Sequence, residues 1–233
     1  MILLTASPVM VSPAVVKASQ RPETHRSIYF EKALERVKSK LLKLSGMDHC
    51  AILNGNGSLA VEAALQTFVP VDQRTIVTYG VYSERFATHQ VGNGWHCMVQ
   101  HQTDTGKIND VKTLCDNAHN EGALAFVDAV SSFGAYEVDY NADVIVTCGN
   151  KCLESLCGCG IVMWKDHVKP VAIAPRHPLN VMDYHNNIPC TLNVPSILAL
   201  DTALDELEEE TVTGRFGRYE STCRAIRLVF SKR

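Results

Sequence analysis

No run of basic residues occurs in the chain, whose 22 Lys and Arg against 25 Asp and Glu leave a formal net charge of -3. A surface that follows nucleic-acid phosphates or an anionic membrane concentrates Lys and Arg, so neither partner is expected. The apolar opening MILLTASPVMVSPAVV has no basic residues ahead of it, and Pro8 and Pro13 interrupt it before it could form a signal-peptide core or a spanning helix. A cytoplasmic protein is expected. No paired Cys-x-x-Cys occurs; the nine cysteines are odd in number, and most, such as Cys50, Cys97, Cys148 and Cys190, sit inside apolar runs as reduced core cysteines do. The cluster Cys148, Cys152, Cys157 and Cys159 is worth testing as a zinc or iron–sulfur site, but its spacing beside a strand argues against one, and no metal is expected. Internal repeats and low-complexity tracts are also lacking.

What is present is enough chain, 233 residues, to bury one main core. SIYFEKALERVKSKLLKLSG places Phe30, Leu34, Val37, Leu41 and Leu44 at helical spacing and stops at Gly46, as a glycine-capped helix does. HCAILNGNGSLAVEAALQTFV reads as a strand, a glycine turn and a helix beginning near Ser58. RTIVTYG, ALAFVDAV, ADVIVTCG and CGIVMW are short apolar runs that alternate in part with helical stretches such as DVKTLCDNAHNEG. This pattern predicts an α/β fold with a mostly parallel sheet and flanking helices. From Pro195 an amphipathic helix, PSILALDTALDELEEE, leads into a polar and basic end.

Two of the apolar runs end on an ionisable group, Asp128 in LAFVDAVSSFG and Lys151 in IVTCGNKC. Taken alone, these charges suit an ion pair or solvated loops. In open α/β sheets, however, ligands gather at the carboxyl ends of strands. NGNGS adds a second feature: between a strand and a helix, Gly55, Asn56, Gly57 and Ser58 form a turn whose N–H groups and helix dipole suit a phosphate. A phosphate cradle, a buried acid and a strand-end lysine are the parts needed to hold pyridoxal phosphate.

VDAVSSFG, GNKC and YGVYSER, preceded by GNGSLAVEAAL, resemble the class V (fold type I) aminotransferases. The resemblance runs with gaps from about Leu4 to Arg227; NKC favours the 2-aminoethylphosphonate:pyruvate aminotransferase branch, and THRSIYF looks more like the alanine or serine:glyoxylate branch. It implies pyridoxal 5'-phosphate as cofactor, with Lys151 as the Schiff-base lysine and Asp128 as the acid facing the pyridine nitrogen. It further implies Val130, on the Asp128 face of the same strand, beneath the ring and Tyr82 stacked above it. Thr103 would bond the ring oxygen, Asn56, Gly57 and Ser58 would form the phosphate loop, and Asn150 matches the polar residue before the lysine. Thr191 would reach the phosphate from a neighbouring subunit, which implies a homodimer.

The implied activity moves an amino group from 2-aminoethylphosphonate or an amino acid to pyruvate or glyoxylate. Residues 1–195 are expected to form the cofactor-binding large domain, with an N-terminal arm over 1–26. Residues 196–233 are expected to form a helical segment leading toward a C-terminal domain that is largely absent. Three departures accompany the resemblance. Almost nothing joins GWHCMV to HQTDTG, so a sheet strand can be missing; CLESLCGCG keeps Gly158 and Gly160 but loses a proline; and the chain stops at Arg233, before the domain that carries the family's carboxylate-binding arginine. Pro189 also stands where the phosphonate branch has an arginine. Arg85, Arg176, Arg215 and Arg218 are possible substitutes, or ordinary surface residues. Lyase, racemase or aldolase chemistry on the same cofactor, and a non-catalytic interaction subunit, stay open at this level.

Overall fold

The computed structural model describes residues 7, 9–86, 94–136, 140–171 and 177–231. In chain order its helices are α1 (Pro13–Ser19), α2 (Ile28–Ser45), α3 (Gly57–Phe68), α4 (Val111–Asn120), α5 (Val181–Asn186), α6 (Val194–Glu210) and α7 (Val212–Phe230). The strands are β1 (His49–Gly55), β2 (Arg74–Ile76), β3 (Trp95–Val99), β4 (His101–Gln102), β5 (Lys107–Ile108), β6 (Leu124–Asp128), β7 (Val144–Cys148) and β8 (Gly158–Trp164).

Six strands form the main sheet in the order β1-β8-β7-β6-β3-β2, and β4 pairs with β5 in a separate hairpin. The pairs β2–β3, β3–β6 and β6–β7 are parallel, whereas β8 runs antiparallel to both β7 and β1. Because β8 reverses twice over, β1 points the same way as β7. The carboxyl ends of β1, β7, β6, β3 and β2 therefore open at one edge of the sheet. β3 passes almost directly into the β4–β5 hairpin, where the sequence leaves no room for a further helix and strand.

Alternation along each strand sends neighbouring side chains to opposite faces. Ala125, Val127 and Ile145 join Phe30, Val37 and Leu41 of α2, Cys115 of α4 and Leu200 of α6 in one core. Phe126, Val144 and Val146 join Ala60, Val61, Ala64 and Leu65 of α3 in the other. The result is a three-layer α/β arrangement, the one expected for continuously apolar strands.

Local chemistry sets the ends of these elements. Ser27 caps α2 by accepting from the Phe30 N–H, and Gly46 closes it in the left-handed region at φ 65°. Asn56 caps α3 by accepting from the Leu59 N–H at 2.9 Å. α6 is no surface appendage: Ile197, Leu198, Leu200, Leu204 and Leu207 are buried, and Asp201 takes Lys40 of α2 at 2.7 Å. α7 is mostly exposed, with Arg215 its one buried residue.

Two expectations change here. Cys190 is exposed rather than held in the core, because it lies in the segment between α5 and α6, outside any strand. Val130 is not on a strand, since β6 stops at Asp128 and the Val130 N–H turns back to donate to Asp128 Oδ1 at 2.9 Å. Among the described residues, no group of three or more His, Cys, Asp or Glu is placed to hold a metal ion. Nor is any described helix long and apolar enough to cross a membrane.

Candidate active site

The shared carboxyl edge of the strands carries a cavity of about 410 Å³ lined by Asn56, Gly57, Ser58, Tyr82, Arg85, Asp128, Val130, Asn150 and Lys151, together with Ser7, Val99, His101, Ser131, Cys148 and Cys157. Each wall has a separate origin. Asp128 ends β6, and its even-numbered register with Phe126 points it to the α3 face. Asn150 and Lys151 follow β7, the parallel neighbour of β6. Asn56 to Ser58 turn the end of β1 into α3, while Tyr82 and Arg85 follow β2.

Gly57 is needed where α3 meets this wall. A Cβ at Gly57 would stand 2.7 and 2.8 Å from the two Val130 methyls, closer than van der Waals contact allows. Gly160 acts similarly at β8, where a Cβ would meet the Ala60 Cβ at 2.9 Å and hold α3 off the sheet.

Asp128 is only 4% exposed. Burial raises its carboxyl above the ordinary range, opposed by the Val130 N–H and by the charges of Arg85 and Lys151. Arg85 Nη1 lies 3.9 Å from Asp128 Oδ2, and the Arg85 guanidinium sits 5.5 Å from the Tyr82 ring centre. Desolvation pushes the Cys148 thiol up to about 11, so it is neutral at pH 7. Asn150 donates to Ser7 Oγ at 2.6 Å, while its buried Oδ1 has no hydrogen-bond partner among the described residues. An orphaned buried acceptor beside an open cavity is a place for a ligand donor.

A second cavity of about 550 Å³ shares His101, Ser131 and Lys151 with the first, and adds Thr103, Tyr136, Cys152, Phe216, Tyr219, Arg224 and Arg227. Thr103 thus lines this neighbour and not the cavity of Asp128, because it lies in the β4–β5 turn, beyond the paired residues. His101, two residues earlier, is on both. Its Nδ1 meets the Ser131 carbonyl at 3.1 Å. A carbonyl only accepts, so Nδ1 carries the proton and Nε2 of the neutral ring is the bare acceptor. Thr191 lines neither cavity in its own chain; its carbonyl accepts from Asn54 Nδ2 at 2.7 Å.

The four candidate arginines separate cleanly. Arg176 falls outside the described residues. Arg215 is buried, donating from Nε to Glu210 at 2.7 Å and from Nη1 to the Cys152 carbonyl at 2.7 Å. Arg218 is bound to Glu210 at 2.6 Å and to Glu154 at 2.9 Å. These two tie α7 to the segment after Lys151, and neither is free for a substrate. Arg85 alone lines the cavity of Asp128, a placement its loop position in the sequence does not reveal. His101 and Ser131 are also missed by sequence reasoning; the short HQTDTG segment around Thr103 was the available signal for His101.

Comparison with known proteins agrees with this geometry. The family model described as aminotransferase class-V matches residues 42–212. A 2-aminoethylphosphonate–pyruvate transaminase of Pseudomonas fluorescens is 27% identical over 275 residues, covering 95% of this chain and 74% of its own. That alignment is longer than this chain of 233 residues, so it crosses gaps in it. Among solved structures, pyridoxamine-pyruvate aminotransferase of Mesorhizobium loti superposes with a TM-score of 0.88 at 26% identity, over 97% of this chain and 70% of that one. Alanine–glyoxylate aminotransferase of a Nostoc species, at 16% identity, shares the fold with a TM-score of 0.84 over 96% of this chain and 72% of its own. With the match spanning most of the chain and both strand-end groups facing one cavity, this protein belongs to the class V aminotransferase family.

Proposed function

We propose that the chain uses pyridoxal 5'-phosphate to move an amino group from a small amine donor, 2-aminoethylphosphonate or an amino acid, to pyruvate or glyoxylate. The observation that carries this reading is the convergence of Asp128 and Lys151 on one cavity whose third wall is the N-terminus of α3. When bound, the cofactor supplies an electron-withdrawing ring that makes a carbon–hydrogen bond beside the amine acidic.

The residues present fit that group. Asp128 is a buried acid able to accept from a protonated ring nitrogen, and Lys151 is the amine on the same cavity. Asn56, Gly57 and Ser58 offer a helix N-terminus to a phosphate, and Asn150 Oδ1 is an acceptor awaiting a donor. Val130 and Tyr82 supply an apolar and an aromatic wall. In this reading Lys151 Nζ would hold the cofactor and would carry the proton taken from the donor carbon. Asp128 would accept from the ring nitrogen and favour its protonated form. The second cavity, which also reaches Lys151, is the substrate side, and Arg227 on its wall suits a donor bearing an acidic group, whereas Arg224 is held by Glu220 at 2.7 Å. The role of Thr191 across a homodimer interface, and a cytoplasmic location, belong to the same proposal.

The test is an absorbance scan of purified protein with pyridoxal phosphate, before and after borohydride, for wild type and Lys151→Ala. A visible band that needs Lys151 and that reduction makes permanent is the expected result; its absence from the wild type would overturn the reading. Release of a keto acid only when pyruvate or glyoxylate is added then separates amino transfer from lyase or racemase chemistry.

A further inference from the structure

The Asp128 carboxylate has its two oxygens in different situations. Oδ1 accepts from the Val130 N–H at 2.9 Å. Oδ2 accepts no hydrogen bond from any described residue and has the Arg85 Nη1 at 3.9 Å, near enough for charge attraction and too far for a hydrogen bond. That oxygen is thus electrostatically supported yet still open to an incoming donor.

The surroundings make Arg85 the durable source of that support. Lys151, in the turn after β7, acts on Asp128 through its charge, but its amine is engaged whenever the proposed chemistry runs. Cys148 from β7 is neutral at pH 7. His101 from β4 and Tyr82 ahead of the Ser83–Phe86 turn line the same cavity, and Arg85 is the ion-pair partner of Asp128 among the described residues. Arg85 is charged at every working pH, and its side chain is only 24% exposed, so bulk water screens it weakly. Its guanidinium also lies against the Tyr82 ring, so one group fixes both the acid and the aromatic wall.

We propose that Arg85 is a positioning residue for Asp128, holding the buried carboxylate ionised with Oδ2 ready to accept the protonated ring nitrogen; the cofactor is taken from the reading above. The measurement is a carbon-13 NMR titration of cofactor-free protein labelled at the aspartate carboxyl carbons, with the Asp128 signal assigned through Asp128→Asn. Wild type, Arg85→Met and Arg85→Lys are compared, and pyridoxal phosphate affinity is measured over the same pH range. In Arg85→Met the Asp128 midpoint should rise by about one pH unit or more, about tenfold in its ionisation equilibrium. Affinity should fall at neutral pH, with the deficit shrinking as pH rises, and Arg85→Lys should recover most of both. An unchanged Asp128 midpoint in Arg85→Met overturns the proposal, as does an affinity loss that is equal at every pH and that lysine does not rescue. If the wild type binds no pyridoxal phosphate, the cofactor reading fails while the carboxyl titration still decides the role of Arg85.

Discussion

A carboxylate moved out of water stays ionised only if nearby donors and cations replace the lost hydration. Asp128 has one backbone donor, Arg85 and Lys151 to do this. Replacing Asp128 with Asn keeps the shape and removes the charge, so pyridoxal phosphate affinity should fall at least about tenfold with little change in the thermal midpoint, which spectroscopic titration and calorimetry would check. Lys151→Ala should abolish amino transfer and shift stability by no more than about 0.5 kcal/mol, since the lysine is partly exposed and outside the core. Away from the cavity, Arg218 and Arg215 hold the Glu210 carboxyl down at about 2 from an ordinary 4.5. A folded value below the unfolded one stabilises at pH above 4.5, and that contribution is lost as pH falls from 4.5 toward 2. Urea midpoints of wild type and Arg218→Gln should therefore differ at pH 6 and converge as pH approaches 2. A constant gap would assign the effect of Arg218 to packing alone.

At the level of elements, the site depends on how closely α3 can approach the end of β6. Gly57→Val puts branched carbon where the Val130 methyls already stand, and overpacking of this kind costs about 1–3 kcal/mol. The forced retreat of the helix terminus should weaken phosphate-bearing ligands more than pyridoxal itself, a contrast that titration with both compounds would reveal. Asn56→Ala removes a cap rather than adding bulk, and should cost about 1 kcal/mol in chemical denaturation. α2, β1 and α3 are legible in sequence because their caps and periodicity are local: Ser27, Gly46 and Asn56 act within a few residues of themselves. Val130 is not, since reading β6 two residues further assumes that the strand continues, whereas the Asp128 side chain captures the next free N–H and ends it. Thr103 lines the neighbouring cavity for a similar reason. The β4–β5 turn carries it past the cavity and leaves His101 at the boundary.

For the whole molecule, the exposed end of α7 presents Ile226, Leu228, Val229 and Phe230, each at least 46% exposed. Apolar side chains grouped in this way favour self-association. Light scattering behind size-exclusion chromatography should show a mass that rises with concentration, and Leu228→Ser with Phe230→Ser should reduce it. A dimer that forms independently of these side chains would place the interface elsewhere, as the assignment of Thr191 to a neighbouring subunit requires.

Sequence alone determined the elements and the kinds of chemistry available, because helix periodicity, strand runs and capping residues act over a few positions. It also isolated Asp128 and Lys151, the ionisable residues at the ends of apolar runs. What only the tertiary structure decided is which loops meet. The antiparallel β8 between β1 and β7 brings residues 56, 85, 128 and 151 to one sheet edge, though they come from four separate connections. The same packing set Arg85 against Asp128 and buried Arg215 beneath α7, converting one apparent surface arginine into a cavity residue and another into an anchor. Strand order is set by the burial of two apolar faces over the whole chain, and no local stretch of sequence contains that information.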